Sequence, residues 1–322
     1  MTSKPRVVRV RQGTPAWHEF RRTHIGSSDA PVIVGESPYR SALDLYVERT
    51  AGAAEPDAFT ARLFKIGHAM EPVILALYAE ETGARVRKGR VYEDRMVPWL
   101  SASLDGETDG AIVEAKWSSS SRFRDGVPAD VLVQVTHQMA VARVAACDVA
   151  VLTPRDFTIH RVPFDAGFWG GILALETRFM EDHLIPGIPP DPDGSASSRA
   201  AIARLYPEDS GEMVPADPET ASIVERVLAR KAELEALTSE LDSMENALRF
   251  LIGERTGIEG PGFRVTYKRA KDSQRIGWEE YAGSLERMID RAILDEYDLK
   301  SLYTYTKPGT RRLLVSRMEE QG

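Results

Sequence analysis

Two periods of hydrophobic and polar residues alternate along this chain, and the switch between them marks out its elements. SSDAPVIVG places Ser and Asp cap candidates before Pro31, a residue suited to a first helical turn, and predicts a short helix. SPYRSALDLYVERTAG predicts a second helix, from a Ser start to Gly52, and AGAAEPDAFT reads as a loop. From Thr60 to Thr82, Leu63, Phe64, Ile74, Leu75, Leu77 and Tyr78 predict a long helix. Pro72 must interrupt or kink it, because proline lacks a backbone donor, and the break falls beside Glu71. Residues 97–117 (VPWLSASLDGETDGAIVEAKW) predict two strands joined by a turn at Asp109-Gly110. A helix from about Ala129 to Ala146 follows, then the continuous apolar strand DVAVLT, the alternating strand FTIHRVPF and the helix AGFWGGILALETRFMEDHL. Together these elements make an α/β core.

The Pro- and Gly/Ser-rich stretch from Pro186 to Ser198 is the best boundary. Beyond it Val227, Leu234, Leu241 and Leu248 recur every seven residues, interleaved with Leu237, Met244 and Leu251. That spacing predicts a long helix, from Ile223 to Ile252, whose narrow apolar seam must pack on something. The strands GFRVTYKR and RRLLVSR flank a helical WEEYAGSLERMIDRAI in the tail. The expected division is a first domain over residues 1–190, a linker over 191–215 and a C-terminal α+β extension over 216–322.

Composition narrows the class. With 322 residues, 43% hydrophobic and 28% charged, the chain has ample core without metal or disulfide staples and is neither fibrous nor wholly disordered. Cys147 is its only cysteine, which excludes an internal disulfide framework and any multi-cysteine metal site and fits a reducing cytoplasm. No uninterrupted apolar run approaches the ~18 residues of a membrane span, so neither membrane insertion nor export is expected. The net charge of −8 argues against a surface that attracts nucleic acid everywhere. Local basic patches are still available at Arg6, Arg9 and Arg11, at Arg21 and Arg22, at Arg85, Arg87, Lys88 and Arg90, and at Lys116, Arg122 and Arg124.

The chemistry concentrates on the predicted hairpin. Residues two apart on a strand share a face, so Glu114 and Lys116 point one way while Val113, Ala115 and Trp117 point the other. Asp105, at the end of the preceding strand, can reach the same point, giving hard oxygen ligands for Mg²⁺ or Mn²⁺ with an amine beside them. That is the donor set of metal-assisted phosphodiester hydrolysis. An E-x-K pair alone is commonplace as a solvated ion pair; the apolar Ile112, Val113 and Ala115 and the position of Asp105 favour the site. Glu71 could complete the metal sphere, or be an ordinary helix glutamate. His68, three residues earlier, reads as a packing or hydrogen-bonded histidine. In FRRTHIGSSDAPVIVG, Arg21, Ser28 and a helix start could hold a phosphate, although plain capping by Ser28 or Asp29 explains the same pattern. Gln134 and Gln138 stack one turn apart on LVQVTHQMAVA, where Gln134 leans toward a metal-bound water and His137 is undecided.

Taken in order, RRTHIGSSDAPVIVGESPYRSALDLYVERTAG, KIGHAMEPVILALYAEETG, WLSASLDGE, IVEAKW and LVQVTHQMAV closely resemble the YqaJ-type viral recombinase exonucleases. These are relatives of phage lambda exonuclease within the PD-(D/E)xK nuclease superfamily, and the likeness spans about residues 14–190. It implies a PD-(D/E)xK core, a mixed central sheet flanked by helices. Residue by residue, it implies that Glu71 is the helix glutamate near the metals, that Asp105 and Glu114 are the principal ligands, and that Lys116 is the catalytic lysine. Ala115 would contribute its carbonyl, Gln134 would position the active-site water, and Arg21 and Ser28 would grip a terminal 5′-phosphate. Two positions depart from the pattern: Trp117 stands where smaller residues are usual, and Leu104, not proline, precedes Asp105. The activity implied is Mg²⁺-dependent digestion of duplex DNA from its 5′ ends, with Mn²⁺ as an alternative ion and two ions per site. The 3′ single-stranded tails would pass to a strand-annealing protein in phage recombination, in the bacterial host cytoplasm, and processive relatives form a ring-shaped trimer. An endonuclease of the same superfamily and a non-catalytic DNA-binding scaffold are the competing readings.

Overall fold

Two sheets and seven helices build the first part of the computed structural model, which describes residues 4–10, 13–270 and 278–288. In chain order these are β1 (Arg6–Val8), α1 (Pro15–Arg22), β2 (Ile25–Gly26), α2 (Ala30–Ile33), α3 (Ala42–Ala51), α4 (Ala58–Thr82), β3 (Arg87–Lys88), β4 (Val91–Glu93), β5 (Leu100–Ser103), β6 (Gly106–Glu107) and β7 (Ile112–Trp117). Then come α5 (Ala129–Ala142), β8 (Ala146–Leu152), β9 (Phe157–Pro163), α6 (Ala166–Arg178), a π-helical turn (Phe179–Leu184) and α7 (Ala196–Leu205).

The larger sheet has the order β3-β6-β7-β8-β9, with β7 and β8 parallel and the other neighbours antiparallel. Strand alternation sorts β7 cleanly between the two faces. Val113 packs with Ile74 and Tyr78 of α4, and Ala115 and Trp117 lie against that cluster. Ile112 joins the opposite core with Val131, Val135 and Met139 of α5. Helices therefore cover both faces, as expected of a PD-(D/E)xK core. A second sheet, β1-β4-β5-β2, continues from it. Ile25, Leu45, Val47 and Phe179 form a further core beneath α2 and α3.

Four expectations need correction. The strand expected over the first half of residues 97–117 is two strands: β5 belongs to the smaller sheet and only β6 pairs with β7, across the Asp109-Gly110 turn. Asp105 occupies the passage between the sheets, where its carbonyl accepts the Gly89 N–H at 3.0 Å. The helix α4 runs through Pro72 without interruption; proline costs it one donor toward His68, and capping by Asp57 and left-handed Gly83 (φ 67°) supports its ends. The helix α5 stops at Ala142, not Ala146, because Arg143 takes a left-handed conformation (φ 60°) and pairs with Asp94. Finally, the compact units divide after Pro207. The stretch expected to be a linker over 191–215 contains α7, whose cap is the Ser195 side chain and whose Ser198 and Ala201 are buried. A Ser/Pro-rich composition looked like a spacer but supplies caps and small buried residues.

The second unit, Glu208–Gly322, contains α8 (Pro218–Ile252), the hairpin of β10 (Gly257–Gly260) and β11 (Phe263–Thr266), and α9 (Trp278–Met288). The expected long helix is present and starts a turn and a half earlier than Ile223, at the Asp217 cap. Arg11, the expected strand RRLLVSR and the end of the helix WEEYAGSLERMIDRAI lie outside the described residues.

Candidate active site

Strand β7 and helix α5 together arrange the polar centre. The strand's pleat turns Glu114 and Lys116 toward α5, where Gln134 and Gln138 wait one turn apart. Lys116 Nζ stands 2.7 Å from Glu114 Oε1 and donates to Gln134 Oε1 at 2.9 Å. Gln134 Nε2 in turn donates to Glu114 Oε1 at 2.8 Å, closing a triangle. The other carboxylate oxygen, Glu114 Oε2, accepts from Gln138 Nε2 at 2.7 Å. Glu114 is 4% exposed, so this full set of partners is what makes its burial tolerable.

Asp105 approaches from the passage between the sheets and accepts the Ala115 N–H through Oδ2 at 2.9 Å. Burial pushes its carboxyl well above the usual carboxylate range, and the nearby Glu114 charge adds to this, outweighing the Ala115 N–H and Lys116. Glu71, on α4, is raised for the same reasons, burial first, with the Glu114 charge adding to it against the pull of His68 and Lys116. Lys116 loses hydration on burial, yet the carboxylates of Glu114 and Asp105 hold its ammonium above the ordinary lysine value. Three carboxyl groups thus crowd around one ammonium.

Among the described residues no three His, Cys, Asp or Glu side chains stand together as a ready-made metal cluster. Glu114 Oε1 is turned to Lys116 and Gln134, and Glu71 comes within electrostatic range only. The donors are nonetheless hard oxygens, two of them with pKa values raised by burial first and by the neighbouring Glu114 charge in addition, and a divalent cation is the partner that relieves such crowding. The set fits Mg²⁺ or Mn²⁺.

Arg21 and Ser28 lie elsewhere. Arg21 donates to Asp29 Oδ1 at 2.8 Å and faces Glu48 at 3.6 Å, while Ser28 is exposed. Capping by Asp29 is not what the structure shows: its carboxylate takes the Gly26 N–H at 2.8 Å and the guanidinium of Arg49. Of the basic patches, Arg87 pairs with Asp109, Arg90 with Glu107 and Arg122 with Asp130. Exposed Lys88 lies near enough to lower the pKa of Glu71. His68 bonds the Phe64 carbonyl, as a packing histidine would.

With that geometry in view, residues 16–145 match the YqaJ-like viral recombinase domain, a span that takes in every one of these side chains. The chain is 21% identical over 263 residues to the uncharacterised protein YqaJ of Bacillus subtilis (strain 168), covering 77% of this chain and 82% of that one. Among solved structures it is similar to the alkaline exonuclease LHK-Exo of Laribacter hongkongensis, at 21% identity and a TM-score of 0.46, over 60% of this chain and 100% of that one. A phage related exonuclease from Haemophilus somnus 129PT matches over 57% of this chain and 96% of its own, at 12% identity and a TM-score of 0.40.

Two contributors to this polar centre escaped the sequence. Gln138 was read only as a neighbour of Gln134, and its hold on Glu114 Oε2 depends on β7 lying beneath α5, a long-range fact. Gly89 is the other. A Cβ there would meet the Leu104 carbonyl oxygen at 1.9 Å and the Asp105 carbonyl carbon at 2.9 Å. Its N–H also donates to the Asp105 carbonyl at 3.0 Å, so this glycine fixes the backbone that presents the aspartate.

Proposed function

We propose that this chain is a divalent-cation-dependent 5′ to 3′ exonuclease that digests one strand of duplex DNA from its ends and leaves 3′ single-stranded tails. The observation that carries the reading is the joining of Glu114, Lys116 and Gln134 within 2.9 Å of one another, with Asp105 hydrogen-bonded to the intervening Ala115. Asp105, Glu114 and Glu71, with the Ala115 carbonyl, would hold Mg²⁺ or Mn²⁺, two ions in the full reading. When bound, such an ion supplies a water of lowered pKa and positive charge at the phosphate.

The chain's own groups do the rest. Lys116 stays protonated and its ammonium offsets the negative charge that builds on the phosphate in the transition state. Gln134 bridges Lys116 and Glu114 and keeps both in place. Arg21 and Ser28 would hold the 5′-phosphate, the guanidinium giving the two-pronged contact that phosphate favours. Asp29, already bonded to Arg21, orients it. The 3′ tails suit consumption by a strand-annealing protein in the bacterial cytoplasm, and a ring-shaped trimer would be the processive form.

Linear duplex DNA labelled at either end, with and without a 5′-phosphate, tests this. Expected are cation-dependent release from the 5′ label, a preference for phosphorylated ends that Arg21→Ala weakens, and no cutting of closed circles. Comparable cutting of circles would instead make the chain an endonuclease.

A further inference from the structure

Helix α8 of the second unit leaves an apolar seam in solvent. Val227, Leu234, Leu241 and Leu248 alternate with Arg230, Leu237, Met244 and Leu251 in strict three-then-four spacing, the a and d positions of a coiled coil. Leu234, Leu237, Leu241, Met244 and Leu251 are 53–66% exposed, although the helix is otherwise well capped. A stripe narrow enough to keep this period over residues 227–251, about 37 Å of helix, is complementary to another helix of the same pitch.

The flanking charges choose the partner and its direction. Arg226, Glu233 and Glu240 occupy one flank (g), and Lys231, Thr238 and Glu245 the other (e). In a parallel pair of copies, each g residue meets the e residue five places on in the partner helix. That brings Arg226 to Lys231 and Glu240 to Glu245, two like-charge pairs, and Glu233 to the neutral Thr238. In an antiparallel pair, e meets e and g meets g. With Leu237 opposite Leu241 and Leu234 opposite Met244, Lys231 meets Glu245 twice by symmetry and Glu233 meets the uncharged Ala247, while Arg226 reaches past the end of the partner helix at Ile252. The only like-charge contact is Glu240 with its own counterpart at the two-fold axis. Arg230, the single polar seam residue, faces Leu248 and already pairs with Glu233 at 2.5 Å on its own helix.

We infer that α8 is a self-recognition helix that joins two copies of this chain in antiparallel register over residues 227–251. This pairing is independent of the nuclease reading and of any ring the first unit builds.

Two experiments on the full chain test it. In this register Thr238 meets Thr238 of the second copy across the flank, whereas in a parallel pair the two lie on opposite sides. The native Cys147 is buried, so a short bis-maleimide reports on the new thiol alone. Thr238→Cys should give a covalent dimer on a denaturing gel. By sedimentation equilibrium, Lys231→Glu should weaken self-association roughly tenfold, since it turns two attractions into two repulsions, and Lys231→Glu/Glu245→Lys should restore it. Absence of the crosslinked dimer, or stronger association on Glu245→Lys alone, overturns the assignment. These positions are on the exposed face, so the variants keep the fold, and unchanged helix content by circular dichroism verifies that.

Discussion

Asp29 and Asp105 both give up water inside the first unit, yet their surroundings drive their ionisation in opposite directions. Burial alone would raise the Asp29 carboxyl, but Arg49 and Arg21 and the Gly26 N–H hold it below the ordinary aspartate value. The group is matched: Asp29, Asp44 and Glu48 answer Arg21, Arg40 and Arg49, with Arg40 Nε 2.6 Å from Asp44 and its terminal nitrogen 2.6 Å from Glu48. At Asp105 the balance tips the other way: burial raises the carboxyl, Glu114 and Glu71 add negative charge, and the Ala115 N–H and the single cation Lys116 do not offset them. A charge-matched network of ion pairs holds the fold and, through Asp29, keeps Arg21 in place. A surplus of buried carboxyl groups costs stability and keeps a place for a cation.

The largest effect expected is on catalysis. Lys116→Ala should lower kcat about 10²–10³-fold, because the ammonium acts on the charged transition state, while duplex binding measured by fluorescence anisotropy stays near wild type. Undiminished turnover would remove lysine from the reaction.

The sharpest test of the contrast compares two isosteric changes. Asp29→Asn strands Arg49 and Arg21 and should destabilise the unit by about 3–5 kcal/mol at neutral pH. The Asp29 pKa is depressed in the folded state, so its contribution is present above the unfolded value of 3.8 and is lost as pH falls. The asparagine variant should therefore show a flatter acid limb in urea melts between pH 7 and pH 3. Asp105→Asn should do the reverse. Its folded pKa is raised, so the wild type without cation loses stability as pH rises through that value, and the variant should be the more stable protein at neutral pH. A loss of stability in both variants would erase the distinction.

Smaller effects sharpen the geometry. Gly89→Ala forces a methyl against the Leu104 carbonyl and should cost about 1–3 kcal/mol while shifting Asp105, seen as a weakened response to Mn²⁺. Gln138→Leu removes the hydrogen bond from Gln138 Nε2 to Glu114 Oε2 and should cost about 1 kcal/mol, read as a lower melting temperature.

Much of this was legible from local pattern. The alternation in Ile112–Trp117 already sorted Glu114 and Lys116 from Val113, Ala115 and Trp117, and the period-seven leucines announced α8. What stayed hidden depends on contacts distant in sequence. That β5 and β6 part company into two sheets cannot be read from the local sequence LSASLDGE, and neither can the clash that makes Gly89 necessary. His137 is the clearest case: its ring bonds Glu176 at 2.7 Å and the Ser101 carbonyl at 3.0 Å, fully buried, which ties α5 to α6 and β5. Nothing near His137 in the sequence signals a glutamate on the next helix, beyond two intervening strands.

Binding of Mn²⁺ measured by titration calorimetry on the wild-type chain and on Asp105→Asn addresses the central claim most directly. The crowded carboxyl groups should bind the ion in the wild type, with release of protons because Asp105 and Glu71 are held protonated to higher pH, and the asparagine variant should lose both the heat and the protons. Equal binding by the two proteins would show that these side chains do not share a cation.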